Sequence, residues 1–98
     1  MTKLYILGDF TPYLHTQFQI EGEEKLDLEL TSATDHSNAQ LEQFSLIFTG
    51  PVSPCLPQRL YELSHPQMGN VELFLVPVGP DKTGMGYEAA FSRFVEPR

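Results

Sequence analysis

Leu26-Asp27-Leu28-Glu29-Leu30-Thr31 carries a large apolar side chain at every second position, three leucines set against Asp27 and Glu29. On a helix, at about 100° per residue, Leu28 would point away from Leu26 and Leu30; on an extended strand all three share one face. The strand reading therefore wins. The same period of two recurs in Thr16 to Ile20, Phe44 to Thr49, Leu60 to Leu63, Val71 to Val78 and Tyr87 to Val95, each closed by Gly, Pro or a polar turn. About six short strands at roughly ten-residue spacing are the pattern of a small antiparallel barrel or sandwich. The expected architecture is mainly all-β, with a short N-terminal helical turn. A chain of 98 residues is one domain by length, residues 1–98, with a real but modest core.

Within that pattern, Phe44 to Pro51 reads as the organising strand, with Leu60 to His65 and Val71 to Gly79 as its expected partners. Phe44, Leu46 and Phe48 share one face, and Ile47 interrupts the polar one, which implies cover on both sides in part. Val71 to Val78 is almost continuously apolar, so it is expected to be the most buried strand, ending or bulging at Pro77. Thr16 to Ile20 and Leu26 to Thr31 form a hairpin across the polar turn Glu21 to Lys25. Upstream, Gly8-Asp9-Phe10-Thr11-Pro12 has helix-start chemistry, because Asp9 or Thr11 can accept from unpaired amides and Pro12 suits a first turn. A turn or two of helix is expected around Thr11 to His15.

The connections carry their own signals. Ser32 to Gln43 is the longest polar stretch, read as a loop with a helical turn at Ala39 to Glu42 and as the first place to seek a binding loop. Pro51, Pro54 and Pro57 fall within seven residues, so Gly50 to Gln58 reads as a stiff surface excursion. Ser64 to Asn70 is a turn, with His65 before Pro66 expected to cap it by bonding to backbone. Gly79 to Gly86, with three glycines, reads as a mobile hairpin connection.

Thirteen acidic and six basic side chains give a net charge of -7. The excess lies in the first half, where residues up to Thr49 hold eight acids and two bases, against five and four from Gly50 onward. Such a field repels phosphate backbones and anionic lipid, which argues against nucleic acid and membrane as partners. No stretch approaches the roughly 20 apolar residues of a membrane helix. The single Cys55 cannot form an internal disulfide, and the apolar start is too short for a signal peptide; both point to a reducing cytoplasm.

No motif in the sequence assigns a catalytic, cofactor or metal residue. Cys55 is followed by Leu56-Pro57 rather than a helix start or a cation that would lower its pKa, so an enzyme using Cys55 or His65 is the weakest reading. His15, His36 and His65 lack metal-ligand spacing, leaving only a set assembled across loops from Asp35, His36 and Asp81. Lys82-Thr83-Gly84 matches neither a phosphate loop, which needs Gly-Lys-Ser/Thr opening a helix, nor a β-lactamase, for want of a Ser-x-x-Lys nucleophile. What remains is a non-enzymatic protein-interaction or assembly module, binding a protein partner or itself, with Pro54, Leu56, Pro57, Arg59, Tyr61, His65, Asp81 and Lys82 as candidate contact residues. The alternative is a small-ligand-binding β-barrel whose mouth is built from Ser32 to Gln43 and Gly79 to Gly86.

Phe44-Ser45-Leu46-Ile47-Phe48-x-Gly50-Pro51, Leu56-Pro57-Gln58-x-x-Tyr61-x-Leu63-x-His65-Pro66, Val71 to Gly79 and Tyr87-Glu88-Ala89, in this order and spacing, resemble a family of small bacterial proteins, domain of unknown function 6916. An entry segment like Asp9-Phe10-x-Pro12-x-Leu14 extends the likeness over most of the chain. The resemblance implies a bacterial source and a small β-rich domain, and it suggests a component of a phage-tail-like or other multi-protein complex. At Arg59 the chain departs from the pattern, where Gly is common, which bears on turn geometry.

Overall fold

The computed structural model describes residues 5–21, 26–53 and 55–94, with side chains of the last strand as far as Ser92. Six strands build one sheet: β1 (Gln17–Ile20), β2 (Asp27–Asp35), β3 (Leu41–Gly50), β4 (Arg59–His65), β5 (Gly69–Asp81) and β6 (Gly84–Phe94). Every pairing is antiparallel, and the order β1-β2-β3-β6-β5-β4 closes on itself where β4 meets β1. Of the two architectures the alternation permits, the chain therefore adopts the barrel. Two 3-10 turns, Leu7–Asp9 and Thr11–Tyr13, precede β1, where Asp9 accepts the Ile6 N–H at 2.9 Å as its position suggests. Among the described residues no helix is long and apolar enough to cross a membrane.

The alternation decides which side chains go inside. Phe18, Ile20, Leu28, Leu30, Phe44, Leu46, Phe48, Leu63, Val71, Leu73, Leu75, Tyr87 and Ala89 are all buried, each large one stabilising the fold by about 1.5–3 kcal/mol. Two further side chains close the ends. Phe10 is completely buried at the end where β1 starts, its ring centroid 6.3 Å from that of Phe44 and 5.9 Å from that of Phe91. At the opposite end Leu56 turns inward from the excursion between β3 and β4, and its N–H donates to the Tyr87 hydroxyl at 2.9 Å.

Several elements differ from their sequence reading. The partners of β3 are β2 and β6, whereas β4 and β5, expected beside β3, pair with each other; nearness in sequence does not set nearness in space, because closure brings in the final strand. Ser32 to Asp35 extend β2, and Leu41 to Gln43 open β3, leaving only residues 36–40 as a connection, without a helical turn. Near the rim of a barrel a strand has little core to face, so polar Ser and Thr continue it where large apolar residues stop. One residue of β2, Thr31, is bulged between the Leu30–Phe48 and Ser32–Ile47 pairs. Its hydroxyl donates to the Ile47 carbonyl at 3.1 Å.

The Gly79 to Gly86 segment is strand, not a long loop: Asp81 pairs with Gly84 across a turn of only Lys82 and Thr83. Gly84 has φ 138°, and a Cβ there would collide with the Gly50 carbonyl oxygen, so only glycine fits. The irregularity expected at Pro77 is present as a register shift between Pro77 and Gly79. The burial expected of β5 is not: Val71, Leu73 and Leu75 point in, while Phe74 and Val78 are 49% and 54% exposed.

Candidate interaction face

The outward positions of β4 and β5 are unlike those of β1 and β2, where Gln17, Gln19 and Asp27 face solvent. Leu60 lies directly across from Phe74 in the antiparallel register, and Leu60 is 54% exposed. Further along β5 comes the half-buried Val76, then Val78. The row continues over β6 because Gly86 has no side chain: a Cβ built on it would sit 3.3 Å from Val78 Cγ2 and 3.9 Å from Ile47 Cγ2. Leu60, Phe74, Val76, Val78 and Ile47 thus form an apolar band across the outer surface of four strands. Acidic groups flank it, with exposed Glu62 and Glu72 directly opposite each other and Glu88 opposite Val76.

A second feature borders this band. The β5–β6 ladder covers only Val76–Asp81 and Gly84–Glu88. Beyond it, among the described residues, Asn70 to Leu75 and Ala89 to Ser92 have strand partners on one side alone, β4 for the former and β3 for the latter. A strand paired on one side alone among the described residues offers an edge able to accept an added strand.

The expected contact residues are dispersed. Pro54 lies outside the described residues. Leu56, expected on the surface, is only 6% exposed and belongs to the core, because the excursion between β3 and β4 folds it over the open end of the barrel. Pro57 and Arg59 are exposed and Tyr61 half-buried; the Tyr61 hydroxyl donates to the Pro57 carbonyl, and the Arg59 guanidinium carbon stands 5.7 Å from the Tyr61 ring centroid. Asp81 and Lys82 sit on the β5–β6 turn at the same end of the barrel, where the Thr83 N–H and hydroxyl both donate to the Asp81 carboxylate and hold its pKa below the ordinary value. His65 lies at the other end and is 5% exposed.

His65 does cap its turn. Its Nδ1 accepts the N–H groups of Gln67 at 3.1 Å and Met68 at 3.3 Å. The ring proton is thereby assigned to Nε2, which donates to Thr16 Oγ1 at 2.9 Å, and Thr16 in turn donates to the Tyr13 carbonyl at 2.6 Å. The ring packs against Phe18 and Tyr13, with centroids 4.4 and 4.8 Å away, and burial lowers its pKa. Beside it is a shallow open depression of about 420 Å³ lined by Gln17, Gln19, Asp27, Ser64, His65 and Pro66.

The chemical constellations weighed from the sequence are not assembled. Asp35 and His36 adjoin the Leu41–Phe94 end of β3, and Asp81 adjoins the Gly50–Met85 end, so those three cannot share an ion. The His36 Nε2 is instead 3.1 Å from Ser45 Oγ, and His15 Nδ1 is 3.3 Å from Glu29. Among the described residues no three His, Cys, Asp or Glu side chains are grouped to hold a metal. Cys55 and His65 are separated by the length of β4. The two loops proposed as a ligand mouth lie at opposite ends of β3 and β6 as well.

The sequence reading missed Leu60, Phe74 and Val78 as surface groups. Their signal is present in β5, where residues 72, 74, 76 and 78 are Glu, Phe, Val and Val; an apolar outer set reads equally as burial on both faces or as an exposed apolar surface.

Fold and face together define a closed, six-stranded antiparallel barrel with both ends stoppered by its own side chains and an apolar band left on its outside. The chain belongs to the family described as Domain of unknown function (DUF6916), whose model matches residues 6–91. No curated protein and no solved structure matches it.

Proposed function

We propose that this domain is a non-enzymatic protein-interaction or assembly module, and that it docks through the outer face of β4 and β5. The observation that carries the reading is the Leu60–Phe74 pair, two large apolar side chains about half exposed and in cross-strand register. An isolated exposed leucine needs no explanation, but a contiguous apolar band rimmed by acids is how interaction surfaces are built. The single-sided edges of β5 and β6 beside the band support the same reading, since an extended partner segment gains backbone hydrogen bonds there.

The test is selection of short peptides from a random display library on the wild-type domain, followed by titration against Leu60→Thr/Phe74→Thr. Threonine keeps strand propensity while removing apolar bulk. Selected peptides are expected to bind the variant at least about tenfold more weakly, as loss of a central apolar contact does. Equal affinity for both proteins contradicts the assignment of this face.

A further inference from the structure

We infer that the partner presents an apolar centre flanked by lysine or arginine, an inference that rests on the docking face just described and gives it a chemistry. The outward positions on the three strands that carry the band's exposed part are Leu60, Glu62 and Ser64 on β4, Asn70, Glu72, Phe74, Val76 and Val78 on β5, and Gly86, Glu88, Ala90 and Ser92 on β6. Among the described side chains they include three glutamates and no base. Glu62 and Glu72 face each other in register, an arrangement in which like charges repel across the strands. A cation brought between them by a partner relieves that repulsion and gains attraction from both, more so as apolar contact displaces water around it.

The same arrangement disfavours a second copy of this chain as the occupant. A two-fold dimer made on one surface sets that patch against itself, so Glu62, Glu72 and Glu88 of each protomer would approach carboxylates of the other. Each copy also carries a net charge of -7. The bases whose side chains are described, Arg59 and Lys82, stand at the barrel end rather than on the band, with Arg59 already over Tyr61. Complementarity points to a basic-rimmed partner of a different sequence.

The selected peptides decide this by their composition and salt response. Sequences joining Leu, Phe or Trp with Lys or Arg are expected, and their affinity for the unaltered domain should fall several-fold between low and high ionic strength. Glu62→Gln/Glu72→Gln should weaken them by roughly fivefold, with thermal unfolding confirming that this variant is folded. Uncharged or acidic peptides that still depend on Leu60 and Phe74 overturn the inference while leaving the docking face intact. Peptides indifferent to Leu60 and Phe74 overturn both. Salt-insensitive binding overturns the charge assignment without any substitution. So does a dimer seen by light scattering that Leu60→Thr/Phe74→Thr dissociates, or adsorption to phosphatidylserine vesicles through the same residues.

Discussion

His65 shows how much structure one side chain fixes when both ring nitrogens are used. Its neutral form fits two N–H groups at Nδ1 and the Thr16 hydroxyl at Nε2; protonation would set an N–H against two N–H donors. A histidine whose pKa is lowered by burial binds fewer protons folded than unfolded. Its stabilising contribution is therefore full above its ordinary value of 6.5 and declines as the pH falls below it. The carboxylates of Asp35 and Asp81, lowered by their hydrogen bonds, lose theirs only below an ordinary value of 3.8. The thermal unfolding temperature of the wild type should thus drop as the pH is lowered from about 6.5 to 5, and drop less in His65→Gln. Thr16→Val removes the acceptor of the Nε2 proton and should cost about 1–3 kcal/mol in denaturant unfolding at neutral pH. Gly84→Ala should cost more, with about 1–3 kcal/mol from its backbone conformation and the collision with the Gly50 carbonyl oxygen on top of it. The capping role of His65 was legible because His-Pro at a turn is a local signal. Thr16 was not, being 49 positions away; only barrel closure places it there.

At the level of elements, the period of two located every strand, and its limits explain the errors. It reports large apolar side chains facing a core, so it ends β2 at Thr31 and begins β3 at Phe44, although backbone pairing runs four residues further in the first case and starts three earlier in the second. It also says nothing about which strand lies beside which, and the β3–β6 pairing, the longest ladder in the barrel, joins strands at distant places in the chain. Of the Gly50 to Gln58 excursion, Gly50 still belongs to β3 and the described residues from Pro51 on are irregular, as the prolines imply; Leu56, buried among them, is a stopper. Leu56→Ala should destabilise the domain by about 2–5 kcal/mol, the usual cost of truncating a buried leucine. Tyr87→Phe should cost about 1–3 kcal/mol by leaving the buried Leu56 N–H without its acceptor. Chemical denaturation at neutral pH measures both, and a loss well under 1 kcal/mol in Leu56→Ala would mean that the excursion does not close the barrel.

For the whole molecule, inside and outside have separate tasks. The interior is filled from every strand and stoppered by Phe10 and Leu56, so its side chains are committed to holding shape. The outside carries an acidic field and an apolar band, of which Leu60, Phe74 and Val78 are about half exposed. That separation explains why the candidate site was hard to read in advance: Leu60, Phe74 and Val78 have the composition of core residues, and only closure into a barrel turns their face outward. Peptide selection addresses the partner. The underlying claim, that Leu60 and Phe74 are spare to the fold, is tested most directly by denaturant unfolding of Leu60→Thr/Phe74→Thr beside the wild type. The two side chains contribute one exposed cross-strand pair, so the expected loss is no more than about 1 kcal/mol. A loss as large as that of a buried leucine, about 2–5 kcal/mol, would place them in the service of the fold and contradict the docking face.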